Sequence, residues 1–254
     1  CNGGLAHDYA GLVARFGLER SRAWHRAYCD AVDTVETIAR EEGIACDFTR
    51  QGRLKLAAKP QHYDKLARAC DLLVAKFDPN FRMIPAADIR AEVDSTEFHG
   101  GLLHSESAQL HVGRFGVGLA AAALRRGARV YESAPVTGLQ RLPHGWRAVT
   151  TRGSVECSQV LVATGATSTG PFAWYQRRLA PVGSFIVVTE PLEPARLRAL
   201  LPHRRSYVTS RNIGNYFRLT PDNRLIFGGR ARFALSSPSS DAKSGAILKA
   251  RMLE

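Results

Sequence analysis

The 254-residue sequence predicts an α/β fold interleaved with an α+β unit, and three observations carry this prediction. Long segments have apolar residues every three or four positions, which indicates amphipathic helices. Shorter β-rich segments, some of them alternating, are typical of sheet strands. Between residues 110 and 166 a helical segment is followed by apolar strands, the last of which ends at the small-residue turn Thr164-Gly165-Ala166. Such helix–strand alternation is typical of α/β domains.

The predicted elements cover most of the chain. Helices are expected at 19–42 before Gly43, at 61–77 after Pro60, at 85–93, 110–126 and 194–201, and from Asp241 onward, with a loop or short helix at 8–18. Strands are expected at 47–50, 53–58, 100–104, 129–131, 156–163 (buried over 160–163) and 181–190, and hairpins at 137–151 and 215–229.

The net charge of +12 raises the question of an anionic partner. The cations are spread along the chain, and Arg177-Arg178 and Arg204-Arg205 are only doublets, so no nucleic-acid partner is predicted. A basic surface that steers an anionic substrate is the alternative. No apolar run approaches the ~20 residues of a membrane helix, so no membrane span is predicted.

The cysteines and histidines show no ligand spacing. Five cysteines lie far apart without a CxxC pair, which predicts a reducing, cytoplasmic setting. No HxH or HExxH pair occurs, so no metal site is predicted, and His104 and His111 are interpreted as structural. The chain starts without Met and stops inside a helical segment, so both ends are expected to be cut.

The turn at Thr164-Gly165 is a candidate ligand site from its position. Ligands of open α/β sheets bind at the carboxyl ends of strands, and Gly165 allows close backbone approach because it has no Cβ. The pattern therefore fits a nucleotide-binding domain. An α/β domain without a ligand would show the same pattern, so both interpretations stay open.

Four short segments of the chain resemble segments of a known family, and they occur in a consistent order. They are Asn2-Gly3-Gly4, GGLLHSESAQLHVGRFGVGLAAAALRRGARVYESAPV at 100–136, VLVATGA at 160–166, and the pair LAPVGSFIVVTEPL and NYFRLTPDNRLIFGGR at 179–192 and 215–230. Together they resemble the FAD-dependent amine and amino-acid oxidoreductases of the D-amino-acid-oxidase-like family, near its γ-glutamylputrescine oxidase branch and further from glycine oxidase and sarcosine oxidase. Cys1 departs from the family, which usually has arginine there.

The resemblance implies a domain organisation. A partial FAD/NAD(P)-binding, Rossmann-like domain (1–45 and 99–178) is interleaved with an antiparallel-sheet substrate domain (46–98 and 179–235), and 236–254 starts a truncated helical segment. The family's GxGxxG turn, which places a pyrophosphate at a helix N-terminus, is expected before residue 1. Its last glycine-rich flavin motif and its usual carboxylate-binding arginines are expected after residue 254.

The resemblance also implies the cofactor and the chemistry. FAD accepts a hydride at N5 from a small amine or amino acid, the imine is hydrolysed, and oxygen or another acceptor takes the electrons. No catalytic side chain is predicted, because the flavin carries the reaction. The implied cofactor contacts are Asn2, Gly3 and Gly4 for the flavin, Val136 for the adenine, and Thr164, Gly165 and Ala166 for the adenosine side. A plain turn at the first three and a core valine at Val136 are the alternatives.

Three residues are candidates for the substrate side. Tyr216 and Arg218 lie two apart on a predicted strand, so they point to one face. A phenol and a guanidinium on one face suit an amine or carboxylate. Gln51 precedes a strand that runs beside the flavin ring in the family. An exposed strand face or a structural ion pair is the alternative for the first two.

Three functions are consistent with these patterns. The first is an FAD-dependent oxidoreductase of a small amine or amino acid. The alternative is a non-catalytic remnant or small-molecule-binding module without flavin. The third is an NAD(P)-linked dehydrogenase, which fits the central stretch but not the hairpin at 215–229. Flavin absorbance separates the first two, and a requirement for added nicotinamide would favour the third.

Overall fold

The computed structural model describes residues 1–5, 7–165, 170–179, 182–232 and 238–253. The chain divides into two compact units. The first comprises Cys1–Ala122, Ser184–Ala231 and Ser236–Glu254, and the second comprises Ala123–Gly183 and Arg232–Leu235. These units follow packing and not ligand binding, so the division into a cofactor domain and a substrate domain stays a prediction.

The fold is a mixture of helices and strands, as the sequence predicts. The first half has α1 (Tyr9–Phe16), α2 (Leu18–Glu41), β1 (Thr49–Arg50), β2 (Arg53–Leu56), α3 (Pro60–Lys76), β3 (Phe81–Ile84), a 3-10 turn (Ile89–Ala91), β4 (Gly101–His104), β5 (Ala108–Gln109) and α4 (Val112–Arg125). The second half has β6 (Val136–Leu142), β7 (Gly145–Thr150), β8 (Gly153–Cys157), a 3-10 turn (Gly170–Phe172), α5 (Ala173–Gln176), β9 (Gly183–Val188), α6 (Pro194–Leu200), β10 (Ser206–Thr209), β11 (Tyr216–Leu219), β12 (Leu225–Arg232) and α7 (Pro238–Leu253).

A seven-stranded sheet in the order β3-β4-β2-β10-β11-β12-β9 organises the first unit. The β2–β10 pair is parallel, whereas β3–β4, β2–β4, β10–β11 and β11–β12 are antiparallel. Tyr207 of β10 is paired with Leu54 on one side and Phe217 on the other, so all three side chains share one face. This face carries the main core, which also includes Leu197 of α6 and Leu248 of α7.

The opposite face of this sheet is covered only in part. At its β3–β4 end, Tyr9 of α1 and Leu66 and Leu73 of α3 form a buried cluster with Leu102 of β4. Toward β9 the same face is open among the described residues. The exposed side chains there are Ser184, Ile186, Val188 and Tyr216, because β9 and β11 alternate between the core and this side. The open face is the surface on which the candidate site is built.

The second unit contains a three-stranded antiparallel sheet, β6-β7-β8. A bulge between Val136 and Gly138 shifts the register where β6 begins. The hairpin that the sequence predicts at 137–151 is therefore present, whereas the third strand lies at Gly153–Cys157 and not at the predicted 156–163. No helix among the described residues is long and apolar enough to cross a membrane.

Three element predictions are wrong. The helix at 85–93 is a single 3-10 turn, because one turn suffices to bury both Ile89 and Val93, and the unpredicted strand β3 precedes it. Residues 129–131 and 160–163 form no strand, and Leu161 is 91% exposed. A strand requires a neighbour for its backbone hydrogen bonds, and neither segment has one among the described residues.

Candidate functional site

The loop Asn2-Gly3-Gly4 belongs to the first unit, and its two glycines lie in the interior. The backbone of Cys1 exchanges two 2.8 Å hydrogen bonds with Ala108 of β5, which fixes where the loop starts. Gly3 and Gly4 are buried, whereas Asn2 is exposed. A Cβ on Gly3 would lie 2.7 Å from His104 Cε1, so only glycine permits this close approach. A Cβ on Gly4, whose φ is +79°, would meet the Tyr9 hydroxyl at 2.7 Å.

A buried polar cluster lies directly beneath this loop. The Tyr9 hydroxyl is 2.8 Å from His25 Nδ1, and it accepts a hydrogen bond from the Leu5 N–H. His104 Nε2 donates to Asp78 Oδ2 over 2.9 Å, and the Asn80 N–H donates to Asp78 Oδ1. His104 also stacks on Phe81, with ring centroids 4.0 Å apart. The cluster joins α1, α2, β4 and the turn after α3.

The two histidines of this cluster are neutral near pH 7. Burial lowers the pKa of His25 and His104 from 6.5, and the neighbouring Asp78 offsets that only in part. For Asp78, burial alone would raise the pKa, but hydrogen bonds from Asn80 and His104 hold it below its usual value. The His104–Asp78 contact is therefore a hydrogen bond to a carboxylate rather than an ion pair.

Cationic side chains line the open sheet face. Val208 of β10 is paired with Lys55 on β2 and with Tyr216 on β11, so these three share the face. Arg53 and Arg218 lie one row further along the same two strands. Because β2 and β11 are two strand spacings apart, the two arginine backbones are about 10 Å apart, within reach of a common small ligand.

Neither arginine has a carboxylate partner among the described residues. Burial lowers the pKa of both guanidinium groups and of Lys55, yet the arginines stay charged because the ordinary pKa of a guanidinium lies far above neutrality. The hydrogen bonds of Arg218 within the described part of the chain go to neutral oxygens, at 3.5 Å from Gln109 Oε1 and 3.3 Å from the Leu110 carbonyl. Half-buried, unneutralised guanidinium groups favour an anionic ligand.

Gln109 connects two of the predicted substrate residues. Its side-chain nitrogen donates to Gln51 Oε1 over 2.7 Å, and its oxygen faces Arg218. The backbone carbonyl of Gln51 accepts from Arg205, which itself pairs with the buried Glu92. Gln51 and Arg218 are thus held near each other by a residue that sequence reasoning did not select.

Tyr216 lies flat across the neighbouring strand. The three atoms closest to a Cβ built on Gly228 of β12 all belong to the Tyr216 side chain, the nearest at 2.1 Å. The Tyr216 hydroxyl is 3.0 Å from Ser184 Oγ on β9. The ring therefore forms part of the floor of the open face, and the missing side chain of Gly228 makes room for it.

The remaining predicted cofactor residues belong to the second unit. Val136 is the first residue of β6 and is paired with Thr150. Thr164 and Gly165 are exposed, and Gly165 has φ +62° with no atom within 4 Å of a Cβ built on it. Ala166 lies outside the described residues. The structure thus brings together Asn2-Gly3-Gly4, Gln51, Tyr216 and Arg218 in the first unit, and places Val136, Thr164 and Gly165 in the second.

Sequence reasoning missed Arg53, Gln109, Tyr9, His25 and Asp78. A pattern could have found Arg53, because the alternation of RLKL places Arg53 and Lys55 opposite the buried Leu54 and Leu56. Nothing in the local sequence distinguishes the other four, whose neighbours come from distant segments.

Comparison with known proteins identifies the class. The family model for FAD-dependent oxidoreductases matches residues 2–254, so the chain belongs to that family. It is 26% identical over 246 residues to the probable oxidoreductase OrdL of Haemophilus influenzae and 27% identical over 245 residues to the γ-glutamylputrescine oxidoreductase of Escherichia coli. Glycine oxidase from Geobacillus kaustophilus shares the fold, with a TM-score of 0.67 at 19% identity over 83% of this chain and 56% of that one.

These relatives are longer than the chain. The matches cover 95% and 93% of this chain but 55% and 57% of the Haemophilus influenzae and Escherichia coli proteins. The chain therefore spans about half the length of the curated relatives it matches.

Proposed function

We propose that the protein containing this chain is an FAD-dependent oxidoreductase that oxidises a small amine or amino acid to an imine. The observation that carries the proposal is the pair of unneutralised arginines, Arg53 and Arg218, on an open sheet face beside a buried glycine loop. Membership in the FAD-dependent family and the likeness to a γ-glutamylputrescine oxidoreductase support an amine substrate.

The residues of the first unit fit one end of the cofactor. The open face offers a flat strip of Ile186, Val188 and Tyr216 bordered by guanidinium groups, which suits a planar ring with polar edges. Asn2, Gly3 and Gly4 would contribute backbone contacts to that ring. Val136, Thr164, Gly165 and Ala166 would contact the adenosine end. FAD supplies the chemistry when it is bound, because N5 of its ring accepts a hydride.

The chain's own residues then act on the substrate. Arg218 and Arg53 hold an anionic group of the substrate and thereby orient its amine. Gln109 keeps Arg218 and Gln51 in place, and Tyr216 provides an apolar wall. No nucleophilic side chain is required. An amine that carries a carboxylate is accordingly the substrate class that these groups fit best.

The first test is the visible spectrum of the purified product of the complete gene. Flavin bands that bleach when an amine such as γ-glutamylputrescine is added without oxygen are the expected result. A well-folded product without flavin would overturn the proposal and favour a small-molecule-binding module.

The role of the arginines is tested separately by steady-state kinetics. We expect Arg218→Ala to raise KM for a carboxylate-bearing amine by about 10-fold or more, as loss of a charged hydrogen bond implies. KM for an amine of the same length that lacks the carboxylate should not change. Arg211→Ala is the matched control, since Arg211 is exposed and pairs with Glu97. An equal effect on KM for both amines would show that Arg218 does not bind the substrate carboxylate.

A further inference from the structure

Three side chains of types that can bind a metal ion lie close together beneath the glycine loop. His25 and Cys29 lie four residues apart on α2, so they share one helix face. Asp78 reaches the same point from the turn after α3. One ligand atom from each of the three side chains, a histidine nitrogen, the Cys29 sulfur and an Asp78 oxygen, lies within 4.8 Å of the other two.

The spacing of these atoms is compatible with a shared metal ion, although the His25–Cys29 contact also forms a hydrogen bond to sulfur. His25 Nε2 is 3.6 Å from Asp78 Oδ2 and 3.6 Å from Cys29 Sγ. The nitrogen–oxygen distance is too long for a hydrogen bond. Ligands bound tetrahedrally to zinc at 2.0–2.3 Å are separated by about 3.3–3.8 Å, which both distances match.

Each of the three side chains is oriented by a further group. Tyr9 contacts His25 Nδ1, which leaves Nε2 as the metal-binding atom when Nδ1 carries the proton. The Gly4 N–H donates to Cys29, and the Asn80 N–H donates to Asp78 Oδ1. His104 uses one lone pair of Asp78 Oδ2, and the second lone pair stays available. Supporting contacts of this kind are typical of metal sites.

We propose that His25, Cys29 and Asp78 bind one zinc-class divalent transition-metal ion, with His104 positioning Asp78. The ion fixes the Gly3-Gly4 loop to α2 and to the turn after α3. Cys29 loses its thiol proton to solvent when the metal binds, so one thiolate and one carboxylate balance the two charges of the ion. Cys29 is only half-buried, which gives the metal a path of entry. This inference does not depend on the proposed function.

Cobalt(II) is the probe, because a thiolate ligand gives a charge-transfer band and tetrahedral geometry gives intense visible bands. The background is Cys1→Ser, which removes an exposed thiol. We expect one cobalt per chain, with both spectral features displaced by zinc. Cys29→Ser should lose the charge-transfer band, whereas Cys157→Ser, a change at another half-buried cysteine, should keep it.

Two further measurements test the metal site even if the cysteine variants do not fold. Tyr9→Phe removes only the group that orients His25 and should weaken zinc binding by roughly 10–100-fold. In the unsubstituted protein, zinc should protect Cys29 from iodoacetamide, as read by mass spectrometry, while Cys157 still reacts. The proposed site would be wrong if the cobalt spectra were weak and lacked a charge-transfer band. It would also be wrong if Cys29 were alkylated equally with and without zinc.

Discussion

Individual glycines decide where side chains of the open sheet face can lie. Gly228 is paired with Tyr216, and the phenol ring occupies the space that a side chain at position 228 would fill. A methyl group there would have to displace the ring, because a Cβ 2.1 Å from an aromatic carbon is not tolerated. The position of Tyr216 therefore depends on the absence of a side chain on the neighbouring strand.

Gly228→Ala should lower the free energy of unfolding by about 1–3 kcal/mol, the usual cost of overpacking. In a Tyr216→Ala background the same change should cost little, because the three closest atoms are gone. Urea unfolding of both single variants and the double variant measures this coupling. Additive effects of the two changes would show that the ring does not rest on Gly228.

At the scale of one element, two of the three glycines of α4 lie in different surroundings. Gly116 is exposed, and no atom lies within 4 Å of a Cβ built on it. Gly118, two residues later, faces Ile44, whose Cγ2 would lie 2.3 Å from an added Cβ. Helix propensity alone would treat both positions alike, since glycine costs about 1 kcal/mol relative to alanine in a helix.

Gly116→Ala should therefore raise the free energy of unfolding by about 0.5–1 kcal/mol. Gly118→Ala should lower it, since the clash with Ile44 outweighs the gain in propensity. Thermal unfolding followed by circular dichroism measures both. Ile44→Ala is the control background, in which Gly118→Ala should become neutral or stabilising. A stabilising effect of Gly118→Ala with Ile44 present would contradict the close contact between Gly118 and Ile44.

For the chain as a whole, the excess of positive charge bears on how the chain attracts an anionic ligand. The 35 lysines and arginines exceed the 23 acidic residues by 12. A net field of this sign attracts anions, and salt screens it, with a Debye length of about 10 Å at 0.1 M and about 3 Å at 1 M.

If the proposed function holds, kcat/KM for a carboxylate-bearing amine should fall steadily as NaCl is raised from about 0.05 to 0.5 M. A matched amine of equal length without the carboxylate is a cation near neutral pH, so its kcat/KM should stay level or rise as salt screens its repulsion by the positive field. The two profiles, measured at constant pH with the same enzyme, provide the comparison. Parallel profiles would mean that the charge has no role in substrate capture.

Local periodicity in the sequence was sufficient to predict most of the helices and strands. The helices α2 and α3, the alternating strand β2 and the β11–β12 hairpin follow from apolar spacing and turn residues. The failures at 129–131 and 160–163 share one cause, because strand propensity says nothing about whether a partner strand is present. The predicted short helix at 85–93 did not form because the single 3-10 turn at Ile89–Ala91 already buries Ile89 and Val93.

The sequence by itself determined the family, the approximate elements, and the placement of Tyr216 and Arg218 on one strand face. The family follows from the resemblance of four local segments to known members, and the elements and the shared strand face follow from residue type and short spacing. Only the tertiary structure decided that Arg53 joins Arg218 on that face, and that Gln109 links Arg218 to Gln51. It alone placed His25, Cys29 and Asp78 together. The physical reason is that contacts between distant segments are set by sheet pairing and helix packing, which no local pattern records.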